Sequence, residues 1–349
     1  LKNFDYQTLN HLVISPEMIN KMNQIFELRG KLTGLNKVKT PILDRLVEVA
    51  KIQSTDSSNR IEGIYTSDTR LKQLVEKKTS PHNRSEAEIS GYRDVLELIH
   101  ESYPYIPVSG NTILTIHKRL LSFTESTWGG HFKDINNQII TQYADGSTKV
   151  RFTPPAAHMT PTLIEELCTD YNEAQQLNKF PTILLCGAFI FDFVSIHPFR
   201  DGNGRMSRLL MLLTLYQSQF DVGKYISIEA LIEKTKNDYY ESLGNSSTGW
   251  HENTNDYAPF LNYFLSVVLQ AYRELNERIT LSEQDKTSAE ELILQTLQDQ
   301  LKPLSKSELI SLIPTYSKKT IERALLELRE ANKIQMTGAG RSTKYILMG

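Results

Sequence analysis

The segment ILLCGAFIFDFVSIH, residues 183–197, is apolar on nearly every side. A helix of this kind has no face to show to water, yet it is too short to span a bilayer, which needs about 20 apolar residues. The rest of the chain must therefore wrap it, so it is expected to be the central helix of a bundle. The flanking sequence supplies the wrapping. PEMINKMNQIFELRGKL, ILDRLVEVAKIQST, EAEISGYRDVLELIHES, NTILTIHKRLL and TLIEELCTDYNEAQQL all repeat apolar residues at three- and four-residue steps. The expected fold class is mainly α. One stretch breaks the pattern: NNQIITQYADGSTKVRFTPP alternates β-branched and polar residues about Asp145-Gly146, which reads as a β-hairpin.

Composition limits the function classes. The 349 residues carry a net charge of −2, with 40% hydrophobic and 23% charged residues, so the whole molecule is not a polycation for nucleic acid. Cys168 and Cys186 lack paired spacing, which disfavours a disulfide framework or a cysteine metal site and fits the cytoplasm. No apolar run suggests a membrane span, and LKNFDYQTLN does not read as a signal peptide. The long helix LNYFLSVVLQAYRELNERI leads into the polar stretch TLSEQDKTSAE. The expected division is residues 1–110 as an N-terminal helical region, 111–279 as a catalytic core, 280–289 as a linker and 290–349 as a small separate module.

The chemistry gathers in IHPFRDGNGRMSR, immediately after the apolar segment. Pro198 ends one helix, and Asp201-Gly202-Asn203-Gly204 can adopt left-handed backbone before a second helix begins near Gly204. A helix N-terminus reached through glycines exposes N–H groups to an anion. Arg205 and Arg208, three apart, can both reach a polyphosphate. Asp201 offers a hard oxygen ligand suited to Mg2+, and His197 has the intrinsic pKa of a general base. Base, metal and oxyanion cradle are the parts that phosphoryl or nucleotidyl transfer requires. His11, His82, His100, His117, His131, His158 and His251 lack such surroundings and read as structural or surface residues.

Together these residues resemble the Fic family signature, His-x-Phe-x-(Asp/Glu)-Gly-Asn-Gly-Arg-x-x-Arg, at His197, Phe199, Asp201, Gly202, Asn203, Gly204, Arg205 and Arg208. The resemblance runs from about Pro41 to Ile279. It implies a Fic-type helical bundle with a hairpin flap, and a protein adenylyltransferase that moves AMP from ATP to a protein Ser, Thr or Tyr hydroxyl. His197 would be the base, Asp201 would hold Mg2+, and Phe199 would anchor the loop. Gly202, Asn203 and Gly204 would line the α-phosphate, and Arg205 and Arg208 the outer phosphates. The target would dock as an added strand on the flap edge Gln138, Ile139, Ile140 and Thr141. GGHFKD has Lys133 where the family often has arginine. Tyr239 and Tyr240 in KNDYYESL resemble tyrosines bordering the adenine pocket.

STDSSNRIEGIYTS similarly resembles the family's inhibitory motif, (Ser/Thr)-x-x-x-Glu-(Gly/Asn), at Ser58, Glu62 and Gly63 on a helix expected over about residues 54–63. By that resemblance Glu62 pairs with Arg208 and blocks the γ-phosphate. A carboxylate there could alternatively align water for AMP removal. The C-terminal LSKSELISLIPTYSKKTIERALLELREANKI, followed by two β-rich pieces around Gly338-Ala339-Gly340, resembles a winged helix-turn-helix. From Lys286 onward ten Lys/Arg face seven Asp/Glu; Ser317, Lys318, Lys319 and Thr320 would open the recognition helix, with Arg341 and Lys344 at the wing. This module could take DNA or a protein partner, and the family resemblance allows a homodimer. The competing reading is a DNA-binding transcriptional regulator whose Fic domain senses nucleotide.

Overall fold

The computed structural model describes residues 2–7, 9, 12–35, 40–142, 148–283, 288–300, 302–338 and 340–348. His11, Asp145, Gly146, residues 284–287 of the expected linker and Ala339 lie outside the described residues, as does the side chain of Arg341. In chain order the helices are α1 (Pro16–Leu35), α2 (Thr40–Ile61), α3 (Asp68–Val75), α4 (Arg84–Ser102) and α5 (Gly110–Leu120). The hairpin strands β1 (Ile139–Gln142) and β2 (Thr148–Phe152) precede α6 (Thr160–Leu177), α7 (Thr182–Ile196) and α8 (Asn203–Gln217). Then follow α9 (Ile228–Lys234), α10 (Lys236–Ser247), α11 (Ala258–Glu283) and α12 (Ala289–Gln300). The last elements are β3 (Leu304–Ser305), α13 (Lys306–Leu312), α14 (Lys318–Glu330), β4 (Ile334–Thr337) and β5 (Lys344–Leu347). Among the described residues no helix is long and apolar enough to cross a membrane.

Two compact units result: Leu1–Phe26 with Ala50–Ala271, and Glu27–Val49 with Tyr272–Gly349. In the first, α7 is central as expected, with every residue from Ile183 to Ile196 buried except Val194. It packs on α6 and α8, and α8 packs in turn on α4. The apolar helix carries one charge, Asp192, and burial obliges it to find partners. Its carboxylate accepts hydrogen bonds from Tyr6 Oη (2.5 Å), Trp250 Nε1 (2.7 Å) and Tyr257 Oη (2.8 Å), with Lys2 Nζ 3.8 Å away. One buried carboxylate thus fastens the N-terminal segment and the stretch before α11 to the central helix.

The hairpin is antiparallel, and its register shifts between Ile139 and Ile140: Ile139 pairs with Phe152, but Ile140 pairs with Val150. Gln138 precedes β1 rather than joining it. Periodicity marks neither α3 nor α9. α8 starts at Asn203, one residue before the expected Gly204, and α2 stops at Ile61, short of the expected end at residue 63, which leaves Glu62 in the following turn.

In the second unit, α12 to α14 and a sheet in the order β3-β5-β4 enclose Leu292, Ile293, Leu309, Ile321, Leu325 and Ile334. The two expected β pieces are β4 and β5; the two-residue β3 is an addition too short for alternation to reveal. Ser305 and Glu308 form a reciprocal capping box on α13. Ser317 accepts from the Thr320 N–H at the start of α14.

Candidate active site

The loop joining α7 to α8 is held from several directions. α7 ends at His197, whose left-handed backbone (φ 49°) turns the chain while its N–H still donates to Phe193 O at 3.1 Å. Gly202 (φ 82°) makes the second turn and caps α8. Between them Phe199 is fully buried, its ring stacked on His117 with centroids 3.6 Å apart. Asn203 clasps the loop to itself: Oδ1 accepts from the Phe199 N–H (2.9 Å) and Nδ2 donates to Phe199 O (2.8 Å). One Nδ2 hydrogen remains beyond that pair.

His117, read from sequence as structural or surface, is buried and structural in a particular way. Its Nδ1 accepts from the Gly130 N–H at 3.1 Å, which leaves Nε2 to donate to Asp201 O at 3.0 Å. Burial holds its pKa down to about 4, consistent with a single neutral tautomer. Lys133 takes up a neighbouring task. Its backbone N–H donates to Pro198 O (2.8 Å), and Nζ donates to Ile196 O (3.0 Å) at the C-terminal end of α7 and to Asn137 Oδ1 (2.9 Å). Burial pushes the Lys133 pKa down to about 8. Asn137 completes the support, donating to His197 O and Phe199 O at 3.3 Å each.

The two arginines on α8 diverge. Arg208, 1% exposed, turns toward α2: Nε donates to Ser58 Oγ (2.8 Å), and Nη2 to Ser58 O (2.9 Å) and Glu62 Oε1 (2.7 Å). Burial works against its charge, and the Glu62 carboxylate together with the Tyr239 and Tyr92 hydroxyls more than offsets this, so the guanidinium stays above its usual range. Glu62 also rests on the first turn of α8, where a Cβ at Gly204 would lie 2.2 Å from Glu62 Oε1. Only glycine admits the carboxylate there. Lys236 Nζ donates to Ile61 O at 2.7 Å and so fixes the end of α2 from which Glu62 projects. Arg205, expected beside Arg208, instead turns toward α4 and pairs with Glu88 at 2.8 Å. The cause lies in the partner helix, since α4 brings a buried carboxylate to that side of α8.

A cavity opens beside the loop, lined by His197, Asn203, Gly204, Arg208 and Glu62, with Tyr239 and Tyr240 from α10 and Arg151 and Phe152 from β2. Ile139 of the expected flap edge reaches it; Gln138 and Ile140 are not among its lining residues, and the side chain of Thr141 lies outside the described residues. Burial first, and then Lys133, lower the His197 pKa to about 4, so the imidazole is neutral near neutral pH. Asp201 and Arg205 do not line this cavity. Asp201 faces a separate opening shared with Arg84, Glu88 and Trp128.

Among the described residues no group of three or more His, Cys, Asp or Glu side chains could hold a metal ion. An all-protein metal cage is therefore not what the donor set offers. Asp201 Oδ1 accepts from the Gly202 N–H (2.6 Å) and lies 3.5 Å from Arg205 Nη2, while Oδ2 lies 3.5 Å from the exposed Arg84 guanidinium. One half-exposed carboxylate with a lightly held oxygen fits Mg2+, which commonly takes one or two carboxylates and completes its shell with water and substrate phosphates. His117, Asn137, Arg151, Glu88 and Lys236 were not legible as site residues, because each acts through a fold contact far away in sequence; Lys133 stood out only as a departure from the family's arginine.

Residues 107–215 match the Fic/DOC family, and residues 288–348 match the TBPIP/Hop2 winged helix domain. Among curated proteins, the chain is similar to the protein adenylyltransferase Fic of Nematostella vectensis, 26% identical over 260 residues, covering 72% of this chain and 53% of the relative. The protein of the same name from Drosophila willistoni is 24% identical over 291 residues, covering 80% and 53%. The chain thus spans about half the length of the curated relatives it matches. Among solved structures, a Fic family protein from Desulfovibrio desulfuricans aligns over 97% of both chains with a TM-score of 0.61 at 20% identity. A Fic domain containing signaling protein from Bacteroides thetaiotaomicron gives a TM-score of 0.61 at 21% identity, over 72% of this chain and 95% of its own. The expected architecture, a Fic-type helical bundle with a hairpin and a C-terminal winged helix, is therefore the observed fold.

Proposed function

We propose, on the premise that residues 107–215 are a Fic/DOC-family domain, that this chain is a protein adenylyltransferase held in check by Glu62. The observation that carries the reading is the Glu62 carboxylate lying on the α8 N-terminus and paired with Arg208, at the wall of the cavity that His197 also lines. An anion already occupies the position that a phosphate would need. The resting cavity is thus self-blocked.

With Glu62 displaced, the α8 N–H groups and Arg208 receive the phosphates of ATP, and Tyr239 and Tyr240 border the base. The neutral His197 takes the proton of a target Ser, Thr or Tyr hydroxyl. As that oxygen bonds to the α-phosphorus, the bond to the β-phosphate oxygen breaks and pyrophosphate leaves. Asn203 keeps the loop closed on Phe199 and has one N–H left for the α-phosphate. Asp201, which does not line the cavity, would turn its Oδ2 from Arg84 toward the phosphates to hold Mg2+, which when bound neutralises phosphate charge. Arg205, drawn to Glu88, serves the loop's packing rather than the outer phosphates. The flap edge at residues 138–141 receives the target chain as an added strand.

Function divides the chain along residues 1–110, 111–279, 280–289 and 290–349, and the last part recruits DNA or a protein partner. Lys318 and Lys319 are exposed at the start of α14, whereas Arg323 and Lys306 are engaged by Glu327 and Glu322. That mixed face supports a docking role at least as well as a polycationic one. The main test is labelling with ATP carrying a tagged α-phosphate and Mg2+. Glu62→Gly protein labels itself or lysate proteins far more than wild type, and adding His197→Ala abolishes the signal. Equal labelling with and without His197 rejects the base; equal labelling by wild type and Glu62→Gly rejects the block.

A further inference from the structure

The cavity holds two guanidinium groups, and only one comes from the glycine loop. The other is Arg151, which no sequence motif marks. It sits on β2 at the register shift: Phe152 pairs with Ile139 and Val150 with Ile140, so Arg151 is the extra residue of a β-bulge. On a regular strand Arg151 and Phe152 would point to opposite faces. The bulge re-aims the chain, and both side chains line the cavity with His197 and Arg208. The guanidinium carbon of Arg151 lies 4.5 Å from the centroid of the Tyr240 ring, which fixes it along one wall. The other charged groups at this wall are Glu62, engaged with Arg208, and Lys236, whose Nζ donates to Ile61 O and lies 6.0 Å from the Tyr240 ring. Arg151 lines the same cavity as His197, and its positive charge is among those that favour the neutral imidazole.

Arg205, the residue expected to share the phosphates with Arg208, is turned to Glu88 and does not reach the cavity. A phosphate chain lying along the α8 N-terminus would meet Arg208 on one side and the bulged strand on the other. We propose that Arg151 is the second phosphate-binding arginine of this site, delivered by the flap instead of the loop; this rests on the nucleotide-binding reading of the cavity. The consequence is coupling. A hairpin that grips the phosphates from above is ordered by nucleotide, and an ordered β1 edge is what a target strand needs for pairing.

The test uses the full chain carrying Glu62→Gly and His197→Ala, so that nucleotide binds without turnover. Calorimetry with Mg2+ compares ATP, AMP and adenosine. Arg151→Met, which keeps the stem on Tyr240 and removes the charge, is expected to weaken ATP by about tenfold or more and adenosine by less than about twofold. Arg151→Lys recovers part of the ATP affinity, because a point charge replaces a fork. Equal weakening of ATP, AMP and adenosine would overturn the proposal in favour of a wall for the base, and unchanged ATP affinity would overturn it outright. Should Arg151→Met melt early, the Arg151→Lys comparison between ATP and adenosine decides alone. If ATP fails to bind even with Arg151 present, the nucleotide reading fails, and this proposal with it.

Discussion

His197 closes α7 in a left-handed turn, and that position takes most of its ring out of water. The pKa falls to about 4 because burial disfavours the charged form, with the Lys133 ammonium adding to it. For a general base the sign is favourable: the proton-accepting form persists down to the depressed value. An ordinary histidine at about 6.5 would be roughly nine-tenths protonated by about pH 5.5. Initial labelling rates of the Glu62→Gly protein should therefore change less than about twofold between about pH 7 and 5.5. An acid limb centred near the ordinary value would mean the base is not this imidazole. The residue types at this site were legible because a base, a carboxylate, glycines and arginines in one loop have few joint uses. Their directions were not. Arg205 and Asn203 look like ligand contacts in sequence; Glu88 and the Phe199 backbone claim them in space.

At the scale of elements, α2 and the turn that follows it dock through residues spaced four apart. Ser54 Oγ donates to Glu229 Oε2 at 2.7 Å, Ser58 accepts from Arg208, and Glu62 pairs with Arg208. Glu229 on α9 is buried and also accepts from Tyr92 Oη at 2.8 Å, so α2, α4 and α9 meet on one carboxylate. The short motif proposed as inhibitory holds the last two of these residues, while Ser54 is an unremarked serine until Glu229 arrives from far along the chain. Ser54→Ala removes one donor to a buried carboxylate, worth about 1–2 kcal/mol. If release of α2 gates the site, the released fraction and the basal labelling rise by about 5- to 30-fold. The same substitution on the Glu62→Gly background should add nothing, since the block is already gone. A rise on both backgrounds would show that Ser54 affects the chemistry and not the docking. Long helices were read well because periodicity accumulates with length; α3, α9 and β3 offer too few turns or alternations to register.

For the molecule as a whole, the central placement of α7 followed from hydrophobic patterning, whereas the C-terminal winged helix followed from a resemblance carried by its helix-turn-helix and the β pieces around its glycines. The assignment of residues 27–49 to the C-terminal unit did not, because helices α1 and α2 each contribute to both units and no composition shift marks the change. A property of the first unit follows from its buried imidazoles. His100, His117 and His197 lie on different elements, and burial lowers their pKa values to about 3, 4 and 4. In the unfolded chain each returns to about 6.5. Below that value the unfolded state takes up protons that the folded state refuses, so stability rises with pH through this window and is lost as pH falls toward the folded values. At about pH 5 each group costs on the order of 2 kcal/mol relative to neutral pH, and three together approach the total stability of an ordinary domain. Urea unfolding of the full chain, followed by tryptophan fluorescence, should show a midpoint that drops steeply from about pH 7 to 5. Replacing His100, whose Nε2 meets Tyr216 Oη at 3.2 Å, with glutamine keeps a polar partner and removes the titration, so the slope should fall by about a third. A midpoint that stays flat over that range would mean that these imidazoles are hydrated in solution, and the neutral base assigned to the loop would lose its physical cause.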